Sequence, residues 1–317
     1  MQTQLVSVVI PTKNRPGLVL RAVRSALGQT YENLEAIVVI DGPDPLTRAA
    51  LGTVVDSRLR VLELNQTVGG SEARNIGVRE TCGEWVALLD DDDEWLPSKI
   101  QKQIDTAVHS SFASPIVSCY FIGRTPTCDY IWPRRTPRPG EALCEYLFVK
   151  NSLFRGEASL QTSMLFARRE LFQRVPFTSG LRRHQDTDWY VRVAEVDGVG
   201  VEFVREPLAI WYLEENRPKI TGLLDWRNSL TWLRGSRDLI TSRAYTGFIA
   251  TQLAAEAVAQ CDWNAFFPLL HEAVFVGSPD PFSILHYLSL WFVPTTLRRK
   301  IRKIVRRISP SRVDNVE

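Results

Sequence analysis

Between Leu5 and Ile122 the chain repeats one pattern that few folds accommodate: a short apolar run, a stop, then apolar residues at helical spacing. The runs are Leu5–Ile10, Leu34–Ile40, Leu59–Leu64, Glu84–Leu89 and Ile116–Ile122. Helical spacing occupies Gly17–Leu27, Pro45–Val55, Ser71–Thr81 and Pro97–Val108, with Pro97 suited to a first turn. A strand that is apolar on both faces must be covered on both, and intervening helices do that. The expectation is a parallel sheet in an α/β sandwich, with ligands beyond the carboxyl ends of the strands.

After Ile122 the beat breaks. Tyr130–Gly140 is rich in Pro and Arg and reads as a loop. Leu160–Ala167 is strand-like, Gln185–Val196 helical, and Val201–Val204 and Leu208–Leu213 are short strands. From about Gly222 the pattern is helical to the end, so Glu215-Asn216-Arg217-Pro218 divides an α/β domain, 1–217, from a helical extension, 218–317. At 317 residues, 44% hydrophobic and 23% charged, the composition is that of a globular chain with one large or two smaller domains. Five scattered cysteines without a Cys-x-x-Cys pair argue against a disulfide framework or a zinc site and favour a reducing compartment. Neither a secretory signal nor an apolar run long enough to span a bilayer is visible, which makes the cytoplasm the default.

The net charge of +2 is a sum of unlike parts. Arg298–Glu317 carries eight Lys/Arg against two Asp/Glu, so the other 297 residues hold 30 basic and 34 acidic side chains. An acidic body is a poor nucleic-acid surface, and none is expected as a partner. In the tail, Leu297, Ile301, Ile304, Val305 and Ile308 form one helical stripe among basic residues. Leu297–Ile308 therefore reads as a basic amphipathic helix suited to an anionic membrane surface, at the inner face of the cell membrane.

Three acidic positions stand at expected carboxyl ends of strands or helix starts: Asp41, Asp90-Asp91-Asp92-Asp93, and Gln185-Asp186-Thr187-Asp188. Adjacent carboxylates repel one another unless a cation or solvent relieves them. The Asp90–Asp93 run reads either as a solvated turn before a helix or as a hard-cation site with phosphate as co-ligand. Its place directly after a buried strand favours the second. His184 could assist there, Trp132, Trp189, Tyr190 and Trp211 could stack on sugars, and Arg134, Arg135 and Arg138 could meet a phosphate. Each also has a plain structural reading as loop or core.

Val6-Ser7-Val8-Val9-Ile10-Pro11-Thr12-Lys13-Asn14-Arg15, Ala26–Tyr31, Val38–Gly42 and Gly69–Gly77 resemble the family 2 nucleotide-sugar glycosyltransferases. Leu88–Asp93 with Glu94-Trp95-Leu96-Pro97 is similar to that family's DxD segment, and Gln185–Trp189 with Arg192 to its later acidic motif. The resemblance covers residues 4–213 and implies a GT-A-type, Rossmann-like αβα sandwich with a C-terminal helical extension. It implies an inverting transfer of one sugar from a nucleoside-diphosphate sugar, UDP-sugar favoured, to a hydroxyl of a saccharide or lipid-linked acceptor. By the same resemblance Pro11, Thr12, Asn14, Arg15, Asp41, Arg74, Asp90 and Asp91 border the donor, Asp92 binds Mg²⁺ or Mn²⁺, and Asp186 is the general base. Asp92 and Asp186 are then expected to face each other across the donor sugar.

Three departures bear on this. Ile40-Asp41 stands where the family often has two acids, and Gln185 where Glu often precedes the base. The Gln-x-x-Arg-Trp motif of processive synthases is absent, which favours single transfer over polymerisation. The alternatives are a sugar nucleotidyltransferase, whose Gly-rich phosphate loop is missing at Pro11–Gly17, and a degenerate protein that binds nucleotide sugar or docks to membranes without catalysis.

Overall fold

In the computed structural model, which describes residues 4–152, 156–213, 225–294 and 297–298, every residue of β1 (Val6–Thr12) is buried. Contacts divide the chain into two units: Met1–Trp132 with Leu160–Glu215, and Pro133–Ser159 with Asn216–Glu317.

The first unit is a sheet with helices. β1 lies between β2 (Leu34–Ile40) and β4 (Trp85–Leu88), and β2 carries β3 (Leu59–Glu63) at the edge, all parallel. The central strands are the continuously apolar runs, while edge β3 exposes Arg60 and Val61. Helices α1 (Pro16–Leu27), α2 (Pro45–Leu51) and α3 (Gly70–Arg79) alternate with these strands. In α1, Pro16 occupies the first turn and Val19, Ala22, Val23 and Ala26 form the buried face. α3 sits so close to the sheet that a Cβ on Gly77 would fall 2.3 Å from Val9 Cγ1.

Beyond β4 the expected parallel order gives way to a mixed sheet. The order continues β8 (Phe166–Arg168), β6 (Ser114–Arg124), β9 (Val199–Tyr212), β5 (Glu94–Trp95). β8 runs antiparallel to both neighbours, with Phe166 stacked on Trp85 at 5.1 Å between ring centroids. Apolar content marks a strand as buried and says nothing of its direction, which the intervening chain sets. The two short strands expected near 201–213 are one strand, β9, whose register against β6 shifts where Tyr120 faces Pro207. A proline has no N–H for the ladder, so pairing is interrupted there without ending the strand. β7 (Asp129–Trp132), which takes up the start of the loop expected at Tyr130–Gly140, pairs with β6. There Trp132 packs 6.1 Å from Phe121 and 6.0 Å from Trp211, as core.

Helix α4 (Lys99–Val108) starts two residues after Pro97. Lys99 is fully buried, its Nζ 3.8 Å over the Trp95 ring and donating to Gln103 Oε1 at 2.6 Å. Burial depresses its ammonium to about 8. Gln103 in turn donates to the carbonyls of Val117 and Met164, tying α4 to the sheet. Among its described residues this unit also contains α6 (Arg169–Arg174), α7 (Gln185–Val193) and a 3-10 turn at Thr162–Met164.

The second unit contains α5 (Leu143–Phe148) and, among described residues from 225 onward, helices only: α8 (Trp226–Gly235), α9 (Ser242–Phe248), α10 (Ala254–Ala259), α11 (Phe266–His271) and α12 (Pro281–Phe292), with short 3-10 and π turns. α5 and α9 approach so closely that a Cβ on Gly247 would lie 2.6 Å from the Phe148 carbonyl oxygen. Glu272 accepts from both Arg234 and Tyr245, and Arg135 pairs with Glu141 at 2.7 Å, so that arginine of the Pro-rich loop is engaged within the unit. All five cysteines are free thiols. No helix among the described residues is long and apolar enough to cross a membrane. Of the expected tail helix Leu297–Ile308, all but Leu297 and Arg298 lies outside the described residues, as does the divide at 215–218.

Candidate active site

Four chain segments converge at the carboxyl edge of the parallel strands: the exit of β1, the loop that leads into α3, the acidic loop after β4, and the start of α7. Pro11 and Thr12 end β1, opposite Val39 and Ile40 of β2. Asn14 takes a left-handed backbone (φ 54°), and its N–H donates to Asp44 Oδ2 at 2.7 Å. This turn brings Arg15, at the head of α1, back toward the acidic loop. Its Nη1 lies 2.8 Å from Asp91 Oδ1 and 3.2 Å from Asp92 Oδ2.

Asp41 follows β2 and is buried. Its carboxylate accepts from the backbone N–H of Val68 at 2.6 Å and of Gly69 at 3.0 Å, shaping the loop into α3. Gly69, at the N-cap of α3, has φ +88°, a conformation other residues rarely adopt. One turn into α3, Arg74 reaches across to Asp90 Oδ1 at 2.5 Å and Gln185 Oε1 at 2.9 Å. The neighbouring Asn75 exchanges two 2.9 Å hydrogen bonds with the backbone of Phe177, which fixes α3 against the segment leading to α7. The Arg74-Asn75 pair thereby links the acidic loop to α7.

The four aspartates of the loop are not equivalent. Asp91 turns inward and accepts from Thr12 Oγ1 at 2.7 Å as well as from Arg15. Burial raises its carboxyl above the ordinary value, against the pull of Arg15 and Thr12. Asp90, Asp92 and Asp93 point together, with one oxygen of each lying within 4.8 Å of the others. Asp93 Oδ2 accepts from Ser163 Oγ at 2.5 Å, and the same hydroxyl accepts from the Asp90 N–H at 3.1 Å. Arg21 holds the Asp92 carbonyl at 2.8 Å, and Trp95 Nε1 donates to the Ser163 carbonyl at 2.7 Å. Sequence reasoning placed Asp93 in the acidic run without giving it a role of its own, and it did not single out Ser163. Asp93 could have been given a ligand role from the sequence, because it closes the same turn as Asp90 and Asp92. Ser163 lies 70 residues from Asp93, and no local pattern announces it.

At the start of α7, Asp186 and Asp188 differ sharply. Asp188 accepts from Thr178 Oγ1 at 2.6 Å and from Arg192 Nε at 2.9 Å, while Arg192 also donates to the Pro176 carbonyl. Asp186 accepts from its helix neighbour, the Thr187 N–H at 2.8 Å. Burial raises its carboxyl; the Thr187 N–H opposes this, Asp90 adds to it, and Arg74 pulls the other way. His184 adopts φ 60° as N-cap, and its imidazole is pushed down to about 4 by burial and by Arg183, so it is neutral. Trp189 and Tyr190 are fully buried, with Trp189 stacked on Phe172 and Phe177. The structure thus gathers Thr12, Arg15, Arg74, Asp90, Asp91, Asp92 and Asp186 around one edge, while Asp41 acts on the loop that delivers Arg74.

Residues 7–175 match the family described as glycosyl transferase family 2. The chain is similar to Escherichia coli WfaP, a UDP-Glc:alpha-D-GlcNAc-diphosphoundecaprenol beta-1,3-glucosyltransferase, at 36% identity over 101 residues, 32% of this chain and 40% of WfaP. It is 26% identical over 256 residues to the amylovoran biosynthesis glycosyltransferase AmsB of Erwinia amylovora, covering 75% of this chain and 82% of AmsB. It thus spans under half the length of WfaP and most of the length of AmsB. Among solved structures, S. aureus TarS 1-349 in complex with UDP-GlcNAc shares the fold, with a TM-score of 0.60 at 13% identity over 95% of this chain and 91% of that one.

Proposed function

Because the chain belongs to glycosyl transferase family 2 and has the GT-A fold, we propose that it moves one sugar from a UDP-sugar to a hydroxyl of a lipid-linked saccharide, with inversion and with the help of a divalent ion. It is a glycosyltransferase, and the nucleotidyltransferase alternative falls with that membership. The observation that carries the finer reading is the convergence of Asp90, Asp92 and Asp93 beside Asp186.

Three carboxylate oxygens that close together form a donor set for a hard cation such as Mg²⁺ or Mn²⁺. Asp90, Asp92 and Asp93 would hold it, and the bound ion supplies Lewis-acid stabilisation of the departing diphosphate. Arg15 and Arg74 fix two of these carboxylates and offset their mutual repulsion. Pro11, Thr12, Asn14, Arg15, Asp41, Arg74, Asp90 and Asp91 are the residues proposed to border the donor. Asp186 is proposed to take the acceptor hydroxyl proton on its carboxylate, from the face opposite the leaving group. A carboxyl raised above its ordinary value is better matched to that proton than an ordinary aspartate. On this reading the transferase occupies residues 1–217, with 218–317 as its helical extension.

Support for the lipid-linked acceptor and for UDP comes from the name of WfaP, whose acceptor is a diphosphoundecaprenol saccharide. An acceptor of that kind resides in a membrane, and the basic segment Leu297–Ile308 is proposed to bring the enzyme there as a peripheral protein. The test is a donor screen: purified protein, Mg²⁺ or Mn²⁺, and a panel of nucleotide sugars, with release of free nucleoside diphosphate as readout. One UDP-sugar turned over in a metal-dependent way is the expected result. Failure of every donor to bind or react, with and without metal, defeats the reading.

A further inference from the structure

The second unit exposes aromatic rings where a soluble surface gains nothing from them. Phe267 is 75% exposed, Phe292 62% and Trp263 58%. Their rings form one patch around the half-buried Phe266: Phe266 lies 5.0 Å from Phe267 and 5.5 Å from Phe292, and Trp263 lies 6.1 Å from Phe292. α12 buries Ser283, His286, Tyr287, Leu290 and Trp291 on its inner face, so Phe292 is left outward by the helix period itself. Isolated exposed apolar residues are ordinary, whereas contiguous ones mark a surface that meets another phase or partner.

What adjoins the patch identifies that phase. Just past α12 the chain turns, with the Arg298 N–H donating to the Pro294 carbonyl at 3.0 Å and Arg298 Nε to the Val293 carbonyl at 2.9 Å. The basic run therefore begins six residues after Phe292, with Arg298 bonded to the backbone of Val293 and Pro294 that directly follows that ring. From Arg298 to Arg307 the sequence has seven Lys/Arg and no acid. Aromatic rings favour the boundary between lipid headgroups and acyl chains, and clustered cations favour anionic headgroups. A second copy of the chain suits the site less well, since a two-fold contact centred on the patch would bring two basic runs together.

We propose that Trp263, Phe267 and Phe292 form a membrane-docking patch that inserts into the interface of an anionic bilayer beside the basic run. The proposal deepens the peripheral-membrane part of the functional reading and is independent of the metal and base assignments. In it the rings supply hydrophobic anchorage and the basic run supplies attraction, so neither alone holds the protein stably, as for other two-signal anchors.

The test is sedimentation of the full chain with vesicles of phosphatidylcholine, alone or mixed with phosphatidylglycerol. Wild type is expected to sediment with the mixed vesicles only. The variant Trp263→Ser/Phe267→Ser/Phe292→Ser is expected to lose about tenfold or more of that binding, with an unchanged circular dichroism spectrum. Where the triple variant misfolds, Phe267→Ser alone, at the most exposed ring, replaces it and is expected to weaken binding severalfold. Undiminished sedimentation of a folded variant overturns the patch. So does equal binding of wild type to neutral vesicles, or a wild-type dimer that the variant converts to monomer without change in vesicle binding. Deletion after Pro294 separates the two readings: if it abolishes binding while the patch variant binds fully, the basic segment stands and the patch falls.

Discussion

The loop after β4 and the first turn of α7 are both acidic and both reach the same edge of the sheet, yet they treat their carboxylates in opposite ways. In the loop, Asp90, Asp91 and Asp93 are each gripped by a side chain from another element: Arg74, Thr12 with Arg15, and Ser163. In α7 the grip falls on Asp188, through Thr178 and Arg192. Asp186, two residues earlier, accepts within its own turn from Thr187, and its carboxyl is raised by burial and by Asp90. A carboxylate held by guanidinium and hydroxyl groups is fixed in place, which suits a cation ligand, although Asp91, buried as well as gripped, has its carboxyl raised like that of Asp186. One buried beside another acid is primed to receive a proton. The difference assigns two chemistries to residues of one type.

The sharpest way to break that contrast is Asp186→Asn. Loss of a positioned general base costs about 10²–10⁴-fold in rate. Transfer to an acceptor is therefore expected to fall by that order, while donor affinity in titration calorimetry stays at the wild-type value. Parallel loss of donor affinity would move Asp186 into the binding set and erase the distinction. Next comes Asp92→Ala, which removes a carboxylate from the converging three. Mn²⁺ affinity, read by electron paramagnetic resonance without any turnover, is expected to drop by more than the roughly 10–100-fold typical of residues behind the ligands. Unchanged Mn²⁺ binding would return the loop to the plain reading of a solvated acidic turn. Ser163→Ala is expected to fall within that 10–100-fold range, because its hydroxyl joins Asp93 to the Asp90 backbone. An effect on thermal stability with no effect on Mn²⁺ affinity would make Ser163 a core residue only.

The same contrast explains what the sequence could and could not disclose. Strands β1, β2 and β4 were legible because their residues are apolar without alternation, and the acids at their ends followed. Asp41 and Asp90 could be placed at one edge from that alone, whereas Asp186, which opens a helix, was expected there through the family resemblance. The direction of β8 was not legible, since Phe166 and Ala167 look the same in a strand that runs either way. The continuity of β9 was hidden by Arg205-Glu206-Pro207, whose proline reads locally as a stop but is accommodated by a register shift opposite Tyr120. Which aspartate does what depends on partners far along the chain. Thr12 lies 79 residues from Asp91, and Gln185 lies 111 from Arg74. Such pairings are products of the fold, and a linear pattern records only that acids and bases are present.

The smallest expected effect tests the contrast without catalysis. A carboxyl raised in the folded state binds its proton more tightly there than in the unfolded chain, whose ordinary value is 3.8. Above the raised value Asp186 is ionised in both states and its charge works against folding. As pH falls through that value and then below 3.8, both states become protonated and the cost disappears. Asp186→Asn is therefore expected to raise Tm at neutral pH and to lose that gain in acid. Asp188→Asn has the opposite sign at neutral pH, because it weakens the charged bond from Arg192 that anchors α7. If both variants shift Tm the same way in a neutral buffer, the two carboxylates are alike, and the assignment of a proton acceptor to one of them loses its physical basis.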